Sequence, residues 1–319
     1  MRWITEENYE EQMKDLVEPY LAARRETGFD ERVEGQSVYY EHYRADEPRG
    51  VVVISHGFTE SVKKFAEPIY YLLQAGYEVW GVDHRGHGRS YRANSNPFVV
   101  HADRFEDYVL DLGHLTETLV KPAAGELPLF LFCHSMGGCV GARLLESFPQ
   151  LFSRAVLSSP MLGLGFGKIP IGVAYAFACL KSIGEKGKEP LSPVSAMPEE
   201  TYEESASNSR ARFEHYYNMK LSDPLLQTCS ASARWGREAI AACRRVRSDA
   251  ETKKISVPVL LFQAEKDTFV KNEAQDEFAA KVPLCTLVRM PGMRHELYMG
   301  GDETQKEYWQ RIFEFYEGA

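Results

Sequence analysis

An α/β fold, with a mostly parallel sheet covered by helices on both faces, is predicted by three observations. Short apolar runs alternate with amphipathic helical patterns along most of the chain. A serine stands at the carboxyl end of one such run, immediately before a helical pattern. The alternation lapses from about Met161 to Ser230 and then resumes, which reads as an insertion between one strand and the next βα unit.

Seven strands follow from alternating or continuous apolar residues: Ser37–Tyr43, Gly50–Ser55, Tyr77–Val82, Leu127–Cys133, Arg154–Ser158, Val257–Gln263 and Thr286–Met290. Helices are expected between most of them. Phe65–Gln74 puts Ile69, Leu72 and Leu73 on one face, and Arg104–Val120 repeats apolar residues at three- and four-residue steps. Met136–Ser147, Glu273–Lys281 and Glu303–Tyr316 read the same way. Fully apolar strands such as "GVVVIS" need cover on both faces, which a parallel sheet between helical layers provides. The insertion would lie over the carboxyl ends of the strands, where open α/β sheets bind ligands.

The 319 residues carry a net charge of −9, which argues against a nucleic-acid partner held through phosphates. The acidic start "MRWITEENYEEQMKDL" has no apolar core of a signal peptide. The weakly polar stretch Leu162–Gly184 is interrupted by Lys168, and its uninterrupted part, Ile169–Leu180, is too short to cross a bilayer. Six cysteines lack C-x-x-C spacing, so neither zinc nor a disulfide framework is indicated and a reducing cytoplasm is the expected setting. No metal or other cofactor is expected.

"LFLFCHSMGG" fits a strand, a sharp turn and a helix, the setting of a nucleophile elbow, in which Ser135 is held at a strained backbone position. Small residues two before and two after the serine let strand and helix approach. Gly137 is one, and Cys133 stands where glycine is usual. The competing reading of Ser135 is a plain helix cap. A serine nucleophile needs a base and an orienting acid, in the chain order Ser, Asp or Glu, His. Two histidines follow Ser135. His215 lies in the insertion and reads as a helix residue; His295 follows the last strand in a Pro/Gly loop. Asp267, after "VPVLLFQAEK", stands at the preceding strand end, with Glu265 as its neighbour and competitor. Three strand ends thus deliver the three residue types in order. Backbone amides of Met136 and Phe58 are the candidate oxyanion donors.

His56 is expected to hold the "HGFTES" loop by a hydrogen bond. "DHRGHGRS", Asp83–Ser90, reads as a hydrogen-bonded loop bordering the site, and His101 as structural. Arg234, Arg237, Arg244, Arg245 and Arg247 read as a solvated helix face, with anionic head groups as the alternative.

"HGFTES", "GVDHRGHGRS", "CHSMGG", "LSSPMLG", "AEKDTFV" and "PGMRHEL" resemble the lysophospholipase and monoacylglycerol lipase branch of the α/β-hydrolases, often described as serine aminopeptidase-like. The resemblance implies the α/β-hydrolase fold, with residues 1–160 and 232–319 as core and 161–231 as a mainly helical cap. It implies Ser135 as nucleophile, Asp267 as acid, His295 as base, and the amides of Phe58 and Met136 as oxyanion hole. Apolar cap residues such as Phe166, Ile169 and Tyr175 are then candidates for an acyl-chain contact. The expected function is hydrolysis of a carboxylic ester, with a lysophospholipid or monoacylglycerol as the small-molecule lipid substrate. Peripheral contact with lipid at the inner membrane surface fits that substrate. Other readings stay open at this stage: a peptidase releasing N-terminal proline, for which Glu199, Glu200, Glu203 and Glu204 would offer carboxylates; a small-ester carboxylesterase; acyl transfer to an alcohol; and a non-catalytic ligand binder. Oligomeric state is not indicated.

Overall fold

A computed structural model describes residues 1–167 and 169–318; Lys168, which interrupts the apolar stretch, lies outside the described residues. Eight strands form one sheet: β1 (Arg25–Asp30), β2 (Val38–Tyr43), β3 (Gly50–Ser55), β4 (Tyr77–Val82), β5 (Leu129–His134), β6 (Arg154–Ser158), β7 (Val259–Ala264) and β8 (Cys285–Met290). Their spatial order is β1-β2-β4-β3-β5-β6-β7-β8. The pairings from β4 through β8 are parallel, whereas β1 pairs β2, and β2 pairs β4, antiparallel.

All seven strands expected from apolar patterning are present. The eighth, β1, is additional. Its sequence "RETGFD" has no apolar alternation because it is an edge strand that leaves most side chains in water.

Alternate residues of β3 feed two separate cores. Val51 and Val53 pack on one face with α2 (Glu106–Leu115), α3 (Met136–Ser147), α6 (Ala233–Val246) and α7 (Asn272–Lys281). Val52 and Ile54 pack on the other with α1 (Ala66–Gln74), α8 (Asp302–Glu317) and a helical N-terminal run over residues 9–22. The period of two along each strand therefore supplies both layers at once. Within the stretch from Met161 to Ser230 lie α4 (Ile171–Lys181) and α5 (Arg210–Ser222). No extended strand forms there among the described residues, apart from the two-residue pairing of Ser230–Ala231 with Val99–Val100. No described helix is long and apolar enough to cross a membrane.

Candidate active site

The loops at the carboxyl ends of β3, β5, β7 and β8 converge on one cavity of about 600 Å³. Ser135 stands between β5 and α3 with φ 51° and ψ −116°, a conformation that L-residues avoid. Hydrogen bonds hold it there: its N–H donates to Ser158 O at 3.1 Å, and its carbonyl accepts from Met161 N at 2.8 Å. The helix behind it sits close against β3. A Cβ on Gly137 would lie 2.1 Å from the Ser55 carbonyl oxygen, so no larger residue fits.

Ser135, His295 and Asp267 meet. Ser135 Oγ lies 2.8 Å from His295 Nε2, and His295 Nδ1 lies 2.6 Å from Asp267 Oδ2. The other Asp267 oxygen accepts from the N–H groups of Phe269 (2.9 Å) and Val270 (3.0 Å). Burial alone would raise the Asp267 pKa. The hydrogen bond and charge of His295, with the two amides, outweigh it and hold the carboxyl below its ordinary value. An ionised carboxylate only accepts, so Nδ1 carries the proton and Nε2 is free to accept the serine proton. Glu265, the neighbouring acid, instead accepts from Gly292 N at 2.7 Å. His215 sits on α5 and pairs with Glu10 at 2.7 Å.

Phe58 borders the same cavity, and Met136 is the first residue of α3. Among the described residues, neither amide donates to a protein acceptor. The loop carrying Phe58 is held from below. His56 Nε2 accepts from His84 N at 2.9 Å, and Gly57 N donates to Glu60 Oε2 at 2.7 Å. Asp83 and Ser90 likewise serve hydrogen bonds of the bordering loops, Arg85 donates to Asp111 on α2, and His101 bonds Ser232 Oγ at 2.8 Å. Of the three apolar candidates from the insertion, Phe166 lines this cavity. Ile169 borders an adjoining one, and Tyr175 packs beneath the Arg244 guanidinium at 4.5 Å. Apolarity placed all three together, but it does not decide which side of a segment faces the site.

Five further residues underpin the site without having stood out in the sequence. The His134 ring packs 4.8 Å from that of His295, and burial pushes its pKa down to about 3, so it is neutral. Below it Glu60, Lys64 and Glu296 form a buried ion-paired group, with Tyr298 donating to Glu60 at 2.8 Å. The four-residue spacing of Glu60 and Lys64 was the available signal.

A hydroxyl hydrogen-bonded to an imidazole, itself oriented by a buried carboxylate, can lose its proton as it attacks a carbonyl carbon. Fold and array together define a serine hydrolase of the α/β-hydrolase class. The chain belongs to the family described as serine aminopeptidase, S33, which matches residues 46–302. It is 30% identical over 245 residues to lysophospholipase L2 of Escherichia coli K12, covering 76% of this chain and 70% of that one. It is 28% identical over 272 residues to monoacylglycerol lipase of Mycolicibacterium smegmatis, covering 83% and 88%. Among solved structures, a soluble variant of monoglyceride lipase from Saccharomyces cerevisiae superposes with a TM-score of 0.75 at 20% identity, covering 92% and 94%.

Proposed function

We propose that the protein hydrolyses the carboxylic ester of a long-chain monoacyl lipid, a lysophospholipid or a monoacylglycerol, through an acyl-enzyme on Ser135. The observation that carries this reading is the continuous Ser135–His295–Asp267 hydrogen-bond chain opening into a largely apolar cavity. Ser135 Oγ attacks the ester carbonyl carbon while its proton passes to His295 Nε2. The carbonyl electron pair moves onto oxygen, where the amides of Phe58 and Met136 stabilise it, each worth about 3 kcal/mol. Collapse of this intermediate expels the alcohol, which takes the proton from Nε2. Water then attacks the acyl-enzyme with the same base and releases the fatty acid. Asp267 fixes the imidazole tautomer and stabilises the imidazolium.

Residues 161–231 act as a cap over this cavity. Phe166, Leu164 and Met161 line it on that side, and Phe58, Trp235 and Phe269 complete an apolar wall for the acyl chain. Each methylene buried there contributes about 0.8 kcal/mol. The outer side of the cap contacts lipid directly. Val173, Phe177 and Leu180 are 59%, 49% and 73% exposed along one side of α4, with Lys181 at its end. The lipases and lysophospholipases among the relatives support the substrate class.

The test is fatty-acid release from long-chain lysophosphatidylcholine and monoacylglycerol, beside short p-nitrophenyl esters and a proline amide. Wild type is expected to release fatty acid from the monoacyl lipids. Ser135→Ala lowers kcat by about 10⁴-fold or more, and Asp267→Asn by about 10⁴-fold. Serine-dependent turnover of the proline amide or the short esters alone would refute the lipid substrate.

A further inference from the structure

A peptide group is planar, with its C=O and N–H pointing in opposite directions, so whatever holds Gly57 O also aims Phe58 N–H. His56 Nδ1 lies 2.7 Å from Gly57 O. The other ring nitrogen, Nε2, accepts from His84 N at 2.9 Å, and burial keeps the ring neutral, so Nδ1 carries the proton and donates. That bond fixes the orientation of the peptide on one side of Phe58. On the other side stands Thr59 with φ 60°, a left-handed conformation that a β-branched residue avoids. Backbone of this kind persists only where the surrounding contacts over-determine it.

The Phe58 ring supplies the further contact. Its centroid lies 4.2 Å from that of Trp235, with 36° between the planes, and the His87 ring stands nearly perpendicular to it at 5.9 Å. Trp235 is itself fixed twice. Its backbone N–H donates to Ser232 Oγ at 3.1 Å, at the start of α6, and its indole Nε1 donates to Tyr108 OH on α2 at 3.1 Å. The Tyr108 ring meets that of His84 edge-on, with centroids 5.7 Å apart, and His84 carries the N–H that holds His56. The contacts thus close a circuit that runs from His84 through His56, the Gly57–Phe58 peptide, Trp235 and Tyr108 back to His84. Every member but Phe58 is buried. With its N–H engaged by Tyr108, the indole offers no donor to a substrate, and what remains to it is the ring face against Phe58. An oxyanion donor acts through preorganisation, and this circuit holds one in place before the reaction begins.

We propose that Trp235 is a positioning residue for ester hydrolysis, its indole face holding Phe58 so that the Phe58 amide stays aimed at the developing oxyanion. This rests on the acyl-enzyme reading above, in which that amide is one of the two donors. Outright loss of one such donor lowers kcat by about 10²–10³-fold. A donor that is kept but loosened loses part of that, on the order of tenfold.

The test measures kcat and KM on p-nitrophenyl butyrate and on a long-chain monoacylglycerol, per active site titrated with a fluorophosphonate, so that loss of folded protein is not counted. Trp235→Leu is expected to lower kcat about tenfold or more on both, with KM on the short ester within about threefold of wild type. Trp235→Phe keeps a flat ring against Phe58 and is expected to stay within about threefold throughout. A short-chain trifluoromethyl ketone, which adds to Ser135 as a tetrahedral oxyanion, should lose affinity for Trp235→Leu in proportion to kcat/KM on the short ester. Where Trp235→Leu does not fold, Trp235→Met, of similar reach without a flat face, is read by the same criteria. A kcat within about twofold of wild type overturns the assignment. So does a loss confined to KM on the long-chain substrate, which would make the indole a wall only, or a lower kcat with ketone affinity unchanged. Equal losses in Trp235→Phe and Trp235→Leu would place the effect outside the ring contact and overturn it as well. Wild type that cleaves the short ester alone overturns the lipid substrate and leaves the Trp235 comparison to be read on that ester. Wild type that cleaves neither overturns both.

Discussion

Cys133 and Gly141 face each other across the β5–α3 junction, and the pair explains how the elbow dispenses with its usual first glycine. A Cβ on Gly141 would lie 2.3 Å from Cys133 Sγ. The space that a glycine at 133 would leave on the strand is thus taken from the helix instead. Burial pushes the Cys133 thiol pKa well up, so it is an inert packing group rather than a nucleophile. Cys133→Gly is expected to retain ester hydrolysis while costing about 1–2 kcal/mol in urea denaturation, through the cavity and the added chain entropy. Gly141→Ala alone is expected to destabilise despite its gain of about 1 kcal/mol in helix propensity, because the helix cannot back away from the sulfur. Combined, the two substitutions should relieve one another, with a coupling of about 1–3 kcal/mol. Simple additivity in that cycle would show the contact to be incidental.

At the scale of elements, the parallel strands and their helices were legible because complete burial leaves an unmistakable apolar record. β3 and β5 are buried at every position. The Ser135–His295–Asp267 array was legible for a related reason: each member lies in the loop that follows a strand, so the strand ends bracket the residues to be searched. β1 left no such record. It is held by pairing with β2 and by surface contacts such as Arg44 with Glu26 at 3.0 Å, and its Phe29 is exposed. The Glu60–Lys64–Glu296 group was hidden differently, since sequence spacing does not reveal that the buried Lys64 ammonium meets a carboxylate 232 positions along the chain. The arginines of α6 were read as a solvated face, yet several are engaged: Arg234 bonds Asp103 and the carbonyl of Gly184, and Arg247 pairs with Glu277. α4 shows the reverse case, an apolar helix that stays largely uncovered. Its Val173, Phe177 and Leu180 should carry the protein onto lipid. Phe177→Ser/Leu180→Ser is expected to lower co-sedimentation with phosphatidylcholine vesicles by about tenfold, two lost side chains of this size being worth about 1.5 kcal/mol or more. Unchanged vesicle binding would remove α4 from the lipid contact.

Across the whole molecule, function has concentrated neutral histidines in the interior, and this sets how the fold responds to acid. His56, His84, His87 and His134 surround the loops that carry Phe58 and Ser135, and all are buried. Burial, the largest influence on each, drives their pKa values below the ordinary 6.5, to about 3 for His134. In the unfolded chain they would titrate near 6.5. Above that pH neither state binds the protons and the histidines leave stability unaffected. As pH falls below 6.5 the unfolded chain takes up protons that the folded one refuses, so stability declines by as much as about 1.4 kcal/mol per pH unit for each such histidine. The loss continues until the folded pKa is reached, near 3 for His134. The carboxylates held low by their partners, Asp267 and Glu60, act in the same direction. Their loss begins only near the ordinary carboxyl range of about 4. Glu146, raised to about 8 by burial, opposes the histidines, since the folded chain takes up its proton first as pH falls. Four histidines outweigh one carboxyl, so urea midpoints should fall from pH 6.5 to 5. A profile that stays flat down to pH 5 would mean that the histidines protonate in the folded protein, and with that the neutral, hydrogen-bonded floor beneath Ser135 would have to be abandoned.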